Sequence, residues 1–174
     1  MERTWTSTLG RVAFINCDPL YHDISSDWNI LAAPPSWLTG HVLRRDCILA
    51  PIPAADYAKH EADLVLLPDI GIGSQGEVGS VLLFGAVPIE SMKTIALPSD
   101  SATSVALLKH LLAKRGHDMN YVSTGPDYDS MMAMADGALL IGDRALDAAR
   151  EFPEMVQMDL GTAWMEEEGL PMIF

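Results

Sequence analysis

Three hydroxyl side chains stand at the predicted start of the most regular helical segment in the sequence. Residues 99–104 read SDSATS, and the leucines that follow recur at the spacing of one helix face. Serine and aspartate are ordinary N-cap residues, so capping is one explanation. The N–H groups of a helix start, together with the hydroxyls of Ser101, Thr103 and Ser104, could equally bind a carboxylate. The sequence keeps both roles open.

Three more polar residues occupy positions where an α/β sheet meets its ligand. Asn16 ends the run RVAFIN, Ser80 lies within the run VGSVLLF, and Asp143 follows GALLIG. Polar groups at the carboxyl ends of strands in open α/β sheets face the ligand crevice. The structural alternatives are a turn cap for Asn16, a hydrogen-bonded buried hydroxyl for Ser80 and a helix cap for Asp143. The pattern alone favours these structural roles.

The segment GIGSQG, residues 71–76, has the glycine spacing of a dinucleotide-binding loop. Such a loop must open a helix whose N-terminus receives the pyrophosphate, but EVGSVLLF follows here and predicts a strand. We therefore expect no nucleotide site. A glycine-rich turn with positive φ between two strands is the simpler interpretation, and its backbone N–H groups could face a cleft.

Metal and nucleophilic centres are not indicated. Cys17 and Cys47 are far apart in the sequence, and the five histidines show no ligand spacing, which argues against zinc. We expect two buried, reduced thiols. The sequence also has neither a nucleophile elbow nor the paired carboxylates typical of a glycosidase.

The composition argues against two classes of partner. Eleven Lys and Arg residues against 24 Asp and Glu residues give a net charge of −13. The chain therefore lacks the basic footprint required by nucleic acids and by anionic membrane surfaces. Its N-terminal segment is polar, and no apolar stretch is long enough to span a bilayer. These features predict a cytoplasmic protein.

Short apolar runs alternate with helical patterns, which predicts an α/β fold with mostly parallel sheets. The predicted strands are residues 11–16, 28–33, 47–52, 64–67, 78–84, 94–97, 120–123 and 137–142. The predicted helices are residues 35–45, 54–60, 101–115, 127–135, 143–150 and 161–168, with 156–160 between the last two. The turn-rich segment 85–93 is predicted to be where the chain crosses from one lobe to the other. This places lobe 1 at residues 1–90 and lobe 2 at 91–171, with 172–174 beginning a strand that returns to lobe 1.

Five stretches, in this order and spacing, resemble the chorismate dehydratase family of menaquinone biosynthesis by the futalosine pathway. They are RVAFINCDPLY, PDIGIGSQGEVGSVLLF, SDSATSVALL, ALLIGDRAL and DLGTAWMEEEGLPMIF. The resemblance implies a two-lobed fold similar to type II periplasmic binding proteins. It also implies conversion of chorismate to 3-((1-carboxyvinyl)oxy)benzoate and water in a cleft between the lobes. This hydro-lyase chemistry would need no metal or organic cofactor.

The resemblance also assigns residue roles. Asn16 and Ser80 fall on the family's asparagine and serine and are implied to be catalytic. The substrate-binding positions implied by the S-x-T-S and I-G-D motifs are Ser101, Thr103, Ser104, Gly142 and Asp143. Neutral donors of this kind would hold a dicarboxylate and stabilise developing negative charge. The substrate's own carboxylate could accept the proton, because no histidine falls in a motif.

The sequence departs from the family pattern at Ile48, Glu77 and Glu168. A Glu77 carboxylate facing the cleft would repel the substrate. The family continues well past Phe174, so lobe 1 is expected to be incomplete and the chain to be self-associated or bound to a complementing C-terminal chain. The alternatives are a non-catalytic small-carboxylate-binding protein and a related futalosine-pathway enzyme such as dihydroxynaphthoate synthase. The Ser-Pro-Cys-Pro-Asn-Asp pattern of that synthase is missing here.

Overall fold

The chain divides into two units, each described by itself below. The computed structural model describes residues 4–173. Within them, the first unit comprises residues 4–71 and 100–102, and the second comprises residues 72–99 and 103–173. Phe174, the last residue of the predicted returning strand, lies outside the described residues.

The first unit is built around a pair of parallel strands. Strand β1 (Thr8–Val12) pairs with β2 (Asn29–Ala33), and Leu9 forms an isolated parallel bridge to Leu49. Its helices are α1 (Asp18–Tyr21), α2 (Pro35–Leu43) and α3 (Ala54–His60), and its 3-10 helices are Trp5–Ser7 and Ile15–Cys17.

Proline and glycine explain how the elements of the first unit meet. Pro35 occupies the first position of α2, where a missing N–H costs no hydrogen bond. At Gly10 in β1, an added Cβ would lie 2.5 Å from the Ala50 Cβ and 2.9 Å from a Leu38 methyl. Only a residue without a side chain therefore allows this strand to pack so closely against α2.

Two of the strands predicted in this unit are not formed, and a third is displaced. The first strand ends at Val12, and the residues around Asn16 form a 3-10 turn leading into α1. Residues 47–52 contribute a single bridge, because Pro51 and Pro53 cannot donate to a ladder. Residues 64–67 form no strand with any other part of residues 4–173, and Val65, Leu66 and Leu67 are exposed.

The second unit contains a five-stranded sheet in the order β6-β5-β7-β4-β8. Its strands are β4 (Val81–Gly85), β5 (Thr94–Pro98), β6 (Asn120–Thr124), β7 (Gly137–Ile141) and β8 (Val156–Asp159). Strand β5 is parallel to β6 and β7, whereas β4 is antiparallel to β7 and β8. Four strands therefore run in one direction and β4 runs against them.

Four helices and a small ribbon complete the second unit. The helices are α4 (Ala102–Lys114), α5 (Tyr128–Met134), α6 (Asp143–Glu151) and α7 (Leu160–Glu168), with 3-10 turns at Ile89–Ser91 and Pro153–Met155. Strand β3 (Gly73–Ser74) pairs antiparallel with β9 (Met172–Ile173). The predicted elements from residue 94 to residue 168 are confirmed with ends that differ by one residue at most.

The boundary between the two units depends on which of them contains β4. The sequence-based boundary at residue 90 put β4 in lobe 1, with residues 172–174 returning to that lobe. The structure instead groups 72–99 with the second unit. Val81 pairs with Ile141, and Leu83 pairs with Met158. A continuously apolar strand requires neighbours along both edges and cover on both faces, which β7, β8 and the helices of the second unit supply.

The core of the second unit lies on both faces of its sheet. One face packs Leu82, Phe84, Ala96, Ala138 and Leu140 against α5 and α6. Residues that alternate with these point to the opposite face, because side chains along a strand change sides at every residue. On that face α7 contacts β4 and β8, and α4 is joined to α7 by ion pairs.

The ion pairs between α4 and α7 involve the acidic run 166–168. Lys114 Nζ donates to Glu168 at 2.6 Å, and Arg115 Nε donates to Glu167 at 2.9 Å. The hydrogen bond from Lys114 lowers the pKa of Glu168, and the same bond raises the pKa of Lys114. Glu168, a departure from the family pattern, thus joins two helices.

Apolar side chains are exposed in the last part of the first unit. Val65 is 93% exposed and Leu66 65% exposed, and Leu67 and Ile70 are also exposed. The apolar runs 13–15 and 48–52 of the same unit include exposed Ile15, Ile48 and Leu49. The apolar run 81–84, in contrast, is fully buried in the sheet of the second unit.

We expect the 174-residue chain to self-associate through residues 65–70, since exposed apolar patches drive association. The variant Val65→Lys/Leu66→Lys should shift the particle toward monomer in multi-angle light scattering at matched concentration. Leu170→Lys, at a single exposed leucine of the second unit, is the control and should leave the particle size unchanged. A monodisperse monomer formed by the unsubstituted chain across the concentration range would contradict the expectation.

Candidate functional site

One edge of the sheet in the second unit gathers most of the candidate residues. Strands β5 and β7 are adjacent and parallel, so Pro98 and Ile141 end at the same edge. Because β4 runs the other way, its first residue, Val81, lies opposite Ile141. Asp159, the last residue of β8, is opposite Leu82. The segments before β4 and after β5, β7 and β8 therefore meet at one edge.

The strand order also reverses at this edge. Helix α4 leads from β5 to β6 on one side, whereas β7 lies on the other side of β5. In open α/β sheets, ligands bind beyond the carboxyl ends of the strands at such a switch point. The starts of α4 and α6 therefore flank the most favourable position for a ligand in this unit.

Ser80 and Gly142 are in direct contact. The backbone N–H of Gly142 donates to the Ser80 carbonyl oxygen at 2.8 Å. Gly142 has φ 62° and ψ −145°, a conformation that is essentially restricted to glycine. Gly142 is the N-cap of α6, and Asp143 is its first residue. The predicted cap role of Asp143 thus falls to its neighbour.

The hydroxyl-rich start of α4 is largely buried. Ser101 is 8% exposed and Ser104 4% exposed, and Asp100 is also buried. Ser101 precedes the helix and groups with the first unit, whereas Thr103 and Ser104 lie in the first turn and belong to the second unit. Buried hydroxyls at a helix start suit either an anion or a local cap, so both alternatives from the sequence stand.

Asn16 belongs to the first unit and is exposed there. Two contacts fix the turn that carries it. The Tyr21 hydroxyl donates to the Gly10 carbonyl oxygen at 2.5 Å, and Arg11 pairs with Asp18. Burial is the largest cause that raises the pKa of Tyr21, to about 12, so this hydroxyl stays a donor at neutral pH.

The glycine-rich segment contains β3 at Gly73–Ser74 and turns after it, before β4. Gly76 and Gly79 both have positive φ, at 91° and 69°, and the chain continues into β4 with no helix between them. The nucleotide fingerprint is therefore incomplete, because the helix N-terminus that would receive a pyrophosphate is missing at this place. Glu77 is exposed in the same turn.

Sequence reasoning missed Asp159. Its carboxylate accepts hydrogen bonds from the backbone N–H groups of Val78 and Gly79 and from that of Thr162 in α7. The contact with Thr162 could be predicted from the sequence, because an aspartate before a helical segment is a standard N-cap. The contact with the turn before Ser80 joins residues about 80 positions apart, and no local pattern predicts it.

Across residues 4–173, no group of three or more His, Cys, Asp and Glu side chains is arranged to hold a metal ion. Cys17 and Cys47 are both free and buried, and burial raises the pKa of each thiol. No helix in this part of the chain is long and apolar enough to cross a bilayer.

The family model for menaquinone biosynthesis matches residues 7–174. The chain belongs to the menaquinone biosynthesis family. A relative, the chorismate dehydratase of Thermus thermophilus, is 33% identical over an alignment 188 positions long. That alignment covers 95% of this chain and 67% of the relative. The menaquinone pathway predicted from the sequence motifs is thus confirmed at the level of the family.

Solved structures support the fold class of this menaquinone biosynthesis protein. Protein AF1704 of Archaeoglobus fulgidus superposes with a TM-score of 0.73 at 17% identity, covering 99% of this chain and 67% of that protein. The alkanesulfonate-binding protein SsuA of Xanthomonas axonopodis pv. citri gives a TM-score of 0.63 at 15% identity, covering 91% and 62% respectively. At these identities the likeness shows the fold alone. It confirms the predicted periplasmic-binding-protein-like α/β class.

Replacing Gly142 by Ala should destabilise the menaquinone biosynthesis protein by about 1–3 kcal/mol, because a side chain at this positive φ is strained. Urea unfolding measures the difference. Gly125→Ala is the matched control, since an added Cβ there has no atom within 4 Å and φ is not positive. The control should stay within about 0.5 kcal/mol of the unsubstituted chain. Equal losses in the two variants would contradict the assigned strain.

Proposed function

We propose that this protein is a chorismate dehydratase, which converts chorismate to 3-((1-carboxyvinyl)oxy)benzoate and water. The observation that carries the proposal is the 33% identity to the Thermus thermophilus chorismate dehydratase over 95% of this chain. The reaction would make the protein a carbon–oxygen lyase. A C–H bond and a C–OH bond of the ring break, the C–H electron pair completes the aromatic ring, and hydroxide leaves as water with a proton.

The binding of a dicarboxylate by a protein of net charge −13 requires a local site of positive potential. The starts of α4 and α6, side by side at the switch point, supply oriented N–H groups of this kind. The hydroxyls of Ser101, Thr103 and Ser104 would add neutral donors to one carboxylate. Neutral donors suit this task because they add no charge whose desolvation must be offset.

Gly142 and Asp143 would act mainly through the backbone. The Gly142 N–H is donated to the Ser80 carbonyl oxygen, so this residue holds Ser80 in place. Asp143 opens α6, and its own carboxylate would repel an anionic substrate at close range. We therefore assign to Asp143 the orientation of the helix start, in place of side-chain contact with the substrate.

The catalytic donors in this proposal are Asn16 and Ser80. Both side chains can donate a hydrogen bond to negative charge that develops as the C–H bond breaks. Neither is a useful base at neutral pH, so the proton would pass to a carboxylate of the substrate itself. The aromatic product supplies a strong driving force, and orientation of the two breaking bonds is then the main requirement.

The cytoplasm is the proposed location. Chorismate carries two carboxylates, and an unpaired charge does not cross a bilayer unaided. An enzyme that consumes it would therefore work in the compartment where the substrate is made. Fractionation of cells expressing the tagged chain tests the location.

The unsubstituted chain should convert chorismate to a product lighter by one water, detected by chromatography and mass spectrometry. Asn16→Ala and Ser80→Ala should each lower kcat by roughly 10²–10³-fold, with a smaller effect on KM, if they act on the transition state. Ser91→Ala and Asn120→Ala replace the same residue types at exposed positions remote from the carboxyl edge and serve as controls.

Three outcomes of this assay are distinguishable. Selective loss in the Asn16 and Ser80 variants supports dehydration by these donors. Saturable chorismate binding without product, measured by calorimetry, would make the chain a non-catalytic carboxylate-binding protein. Turnover of a naphthoate or another cyclohexadienol carboxylate in preference to chorismate would indicate a related enzyme of the same pathway.

The triple variant Ser101→Ala/Thr103→Ala/Ser104→Ala should weaken chorismate binding by about 1–3 kcal/mol, since hydrogen bonds to a charged group are lost. Calorimetry gives the affinity, and thermal unfolding reports any loss of capping. Asp127→Ala, which removes the cap of α5, should lower the melting temperature and leave the affinity unchanged. A triple variant that behaves like this control would show that the hydroxyls only cap α4.

A further inference from the structure

We infer that Asp159 is a positioning residue for Ser80: its carboxylate holds the turn that carries Ser80 at the edge of the sheet. The inference rests on the proposed function for the catalytic role of Ser80. It concerns a residue that touches neither the substrate nor the reacting atoms, and that acts through the backbone of the preceding turn.

The contacts of Asp159 are made by both carboxylate oxygens. Oδ2 accepts from the Gly79 N–H at 2.7 Å, and both oxygens lie 3.2 Å from the Val78 nitrogen. Oδ1 also accepts from the Thr162 N–H at 2.9 Å, which caps α7. One side chain therefore joins the first turn of α7 to the two residues immediately before Ser80.

The turn needs such an anchor because of its own sequence. Gly76 and Gly79 both adopt positive φ, and glycine loses more backbone entropy than any other residue when it is fixed. The carbonyl oxygen of Ser80 is bonded to Gly142, but Val78 and Gly79 lie outside β4 and its ladder. A donor that stabilises a transition state must be held to within about 0.5 Å. Bonds from N–H groups to a carboxylate are suited to this, being roughly twice as strong as neutral ones.

The backbone of α7 supports the same turn from a second position. A Cβ added at Gly161 would lie 2.4 Å from the Gly76 carbonyl oxygen and 2.9 Å from the Ser74 hydroxyl oxygen. The turn thus rests directly on the first turn of α7. On its other side, the Gly142 N–H binds the Ser80 carbonyl oxygen, so Ser80 is held between α6 and α7.

Two other aspartates provide matched controls. Asp136 Oδ2 accepts from the N–H groups of Lys93 and Thr94 at 2.8 and 3.0 Å, which is the same chemistry at the amino end of β5. Asp127 Oδ1 accepts from the Ser130 N–H at 2.9 Å and only caps α5. Neither aspartate contacts the Ser80 turn among the hydrogen bonds of the described chain.

The test uses Asp159→Asn in the full chain. Asparagine is as good an N-cap as aspartate, so one carbonyl oxygen can still serve Thr162. With the amide oxygen at the Oδ1 position, Thr162 and Val78 keep an acceptor, whereas the amide nitrogen at the Oδ2 position cannot accept from Gly79. The strongest contact with the turn is thus lost selectively. We expect kcat for chorismate to fall by roughly 10–100-fold, with KM changed by less than about 3-fold. Asp136→Asn and Asp127→Asn should change kcat by less than about 2-fold.

Two further measurements separate positioning from a general loss of stability. If Asp159 acts through the Ser80 hydroxyl, Asp159→Asn should lower kcat by less than about 2-fold in a chain that already carries Ser80→Ala. Amide hydrogen exchange at Gly79 should be faster in Asp159→Asn and unchanged in Asp136→Asn. Gly161→Ala, which retains the carboxylate but pushes on Gly76, should reproduce the loss in kcat.

Equal losses of kcat in the two backgrounds, or unchanged exchange at Gly79 in Asp159→Asn, would overturn the inference. Failure of the proposed function gives a different result, namely no product from the unsubstituted chain. In that case the exchange measurement still decides whether Asp159 holds the Ser80 turn.

Discussion

The pairing of β4 with β7 and β8 is the constraint on which the second unit depends. Strand β4 runs antiparallel to the other four strands of this sheet, and it therefore enters the sheet at the edge where they end. The register that places Val81 opposite Ile141 brings Ser80 beside Gly142, and the pairing of Leu82 with Asp159 brings the start of α7 to the same turn. Both faces of β4 are buried, so its side chains must fit the packing on each face, and the bond from the Gly142 N–H to the Ser80 carbonyl oxygen continues the same register.

The second unit could be predicted closely from residue 94 onward because its signals are local. Leu108, Leu111 and Leu112 recur at helical spacing and are fully buried, and Gly116 ends α4 with positive φ. The first unit was predicted less well. The apolar run at 47–52 has the composition of a strand, yet two prolines and the lack of a second neighbour limit it to one bridge. Strand pairing depends on partners distant in the sequence, and the same limit explains why the pairing of β4 with β7 and β8 could not be predicted.

The candidate site shows the same division between local and distant information. Ser101, Thr103 and Ser104 could be recognised from a helix start, and Gly142 from its place after an apolar run, since each lies at a junction visible in the sequence. Asp159 could be recognised only as a cap. Its second function requires the turn at 76–79 to approach α7, which Gly161 permits by having no side chain. Such contacts follow from the packing of elements, and a single sequence does not specify them.

Helix α7 is held at both ends by charge, and this gives its first turn the rigidity that the turn before Ser80 requires. At the N-terminus the Asp159 carboxylate binds N–H groups, where a negative charge also favours the helix dipole. At the C-terminus, Glu167 and Glu168 would oppose that dipole, and Lys114 and Arg115 of α4 offset them. The pKa of Glu168 is lowered, mainly by its bond to Lys114, so this contribution to stability is complete above the unfolded-state pKa and is lost as the pH falls through the folded-state value.

Glu77, the other acidic departure from the family pattern, is exposed within the turn that Asp159 holds. Because exposure leaves its charge in water, Glu77 can sit close to Ser80 in the sequence at little electrostatic cost to the carboxyl edge.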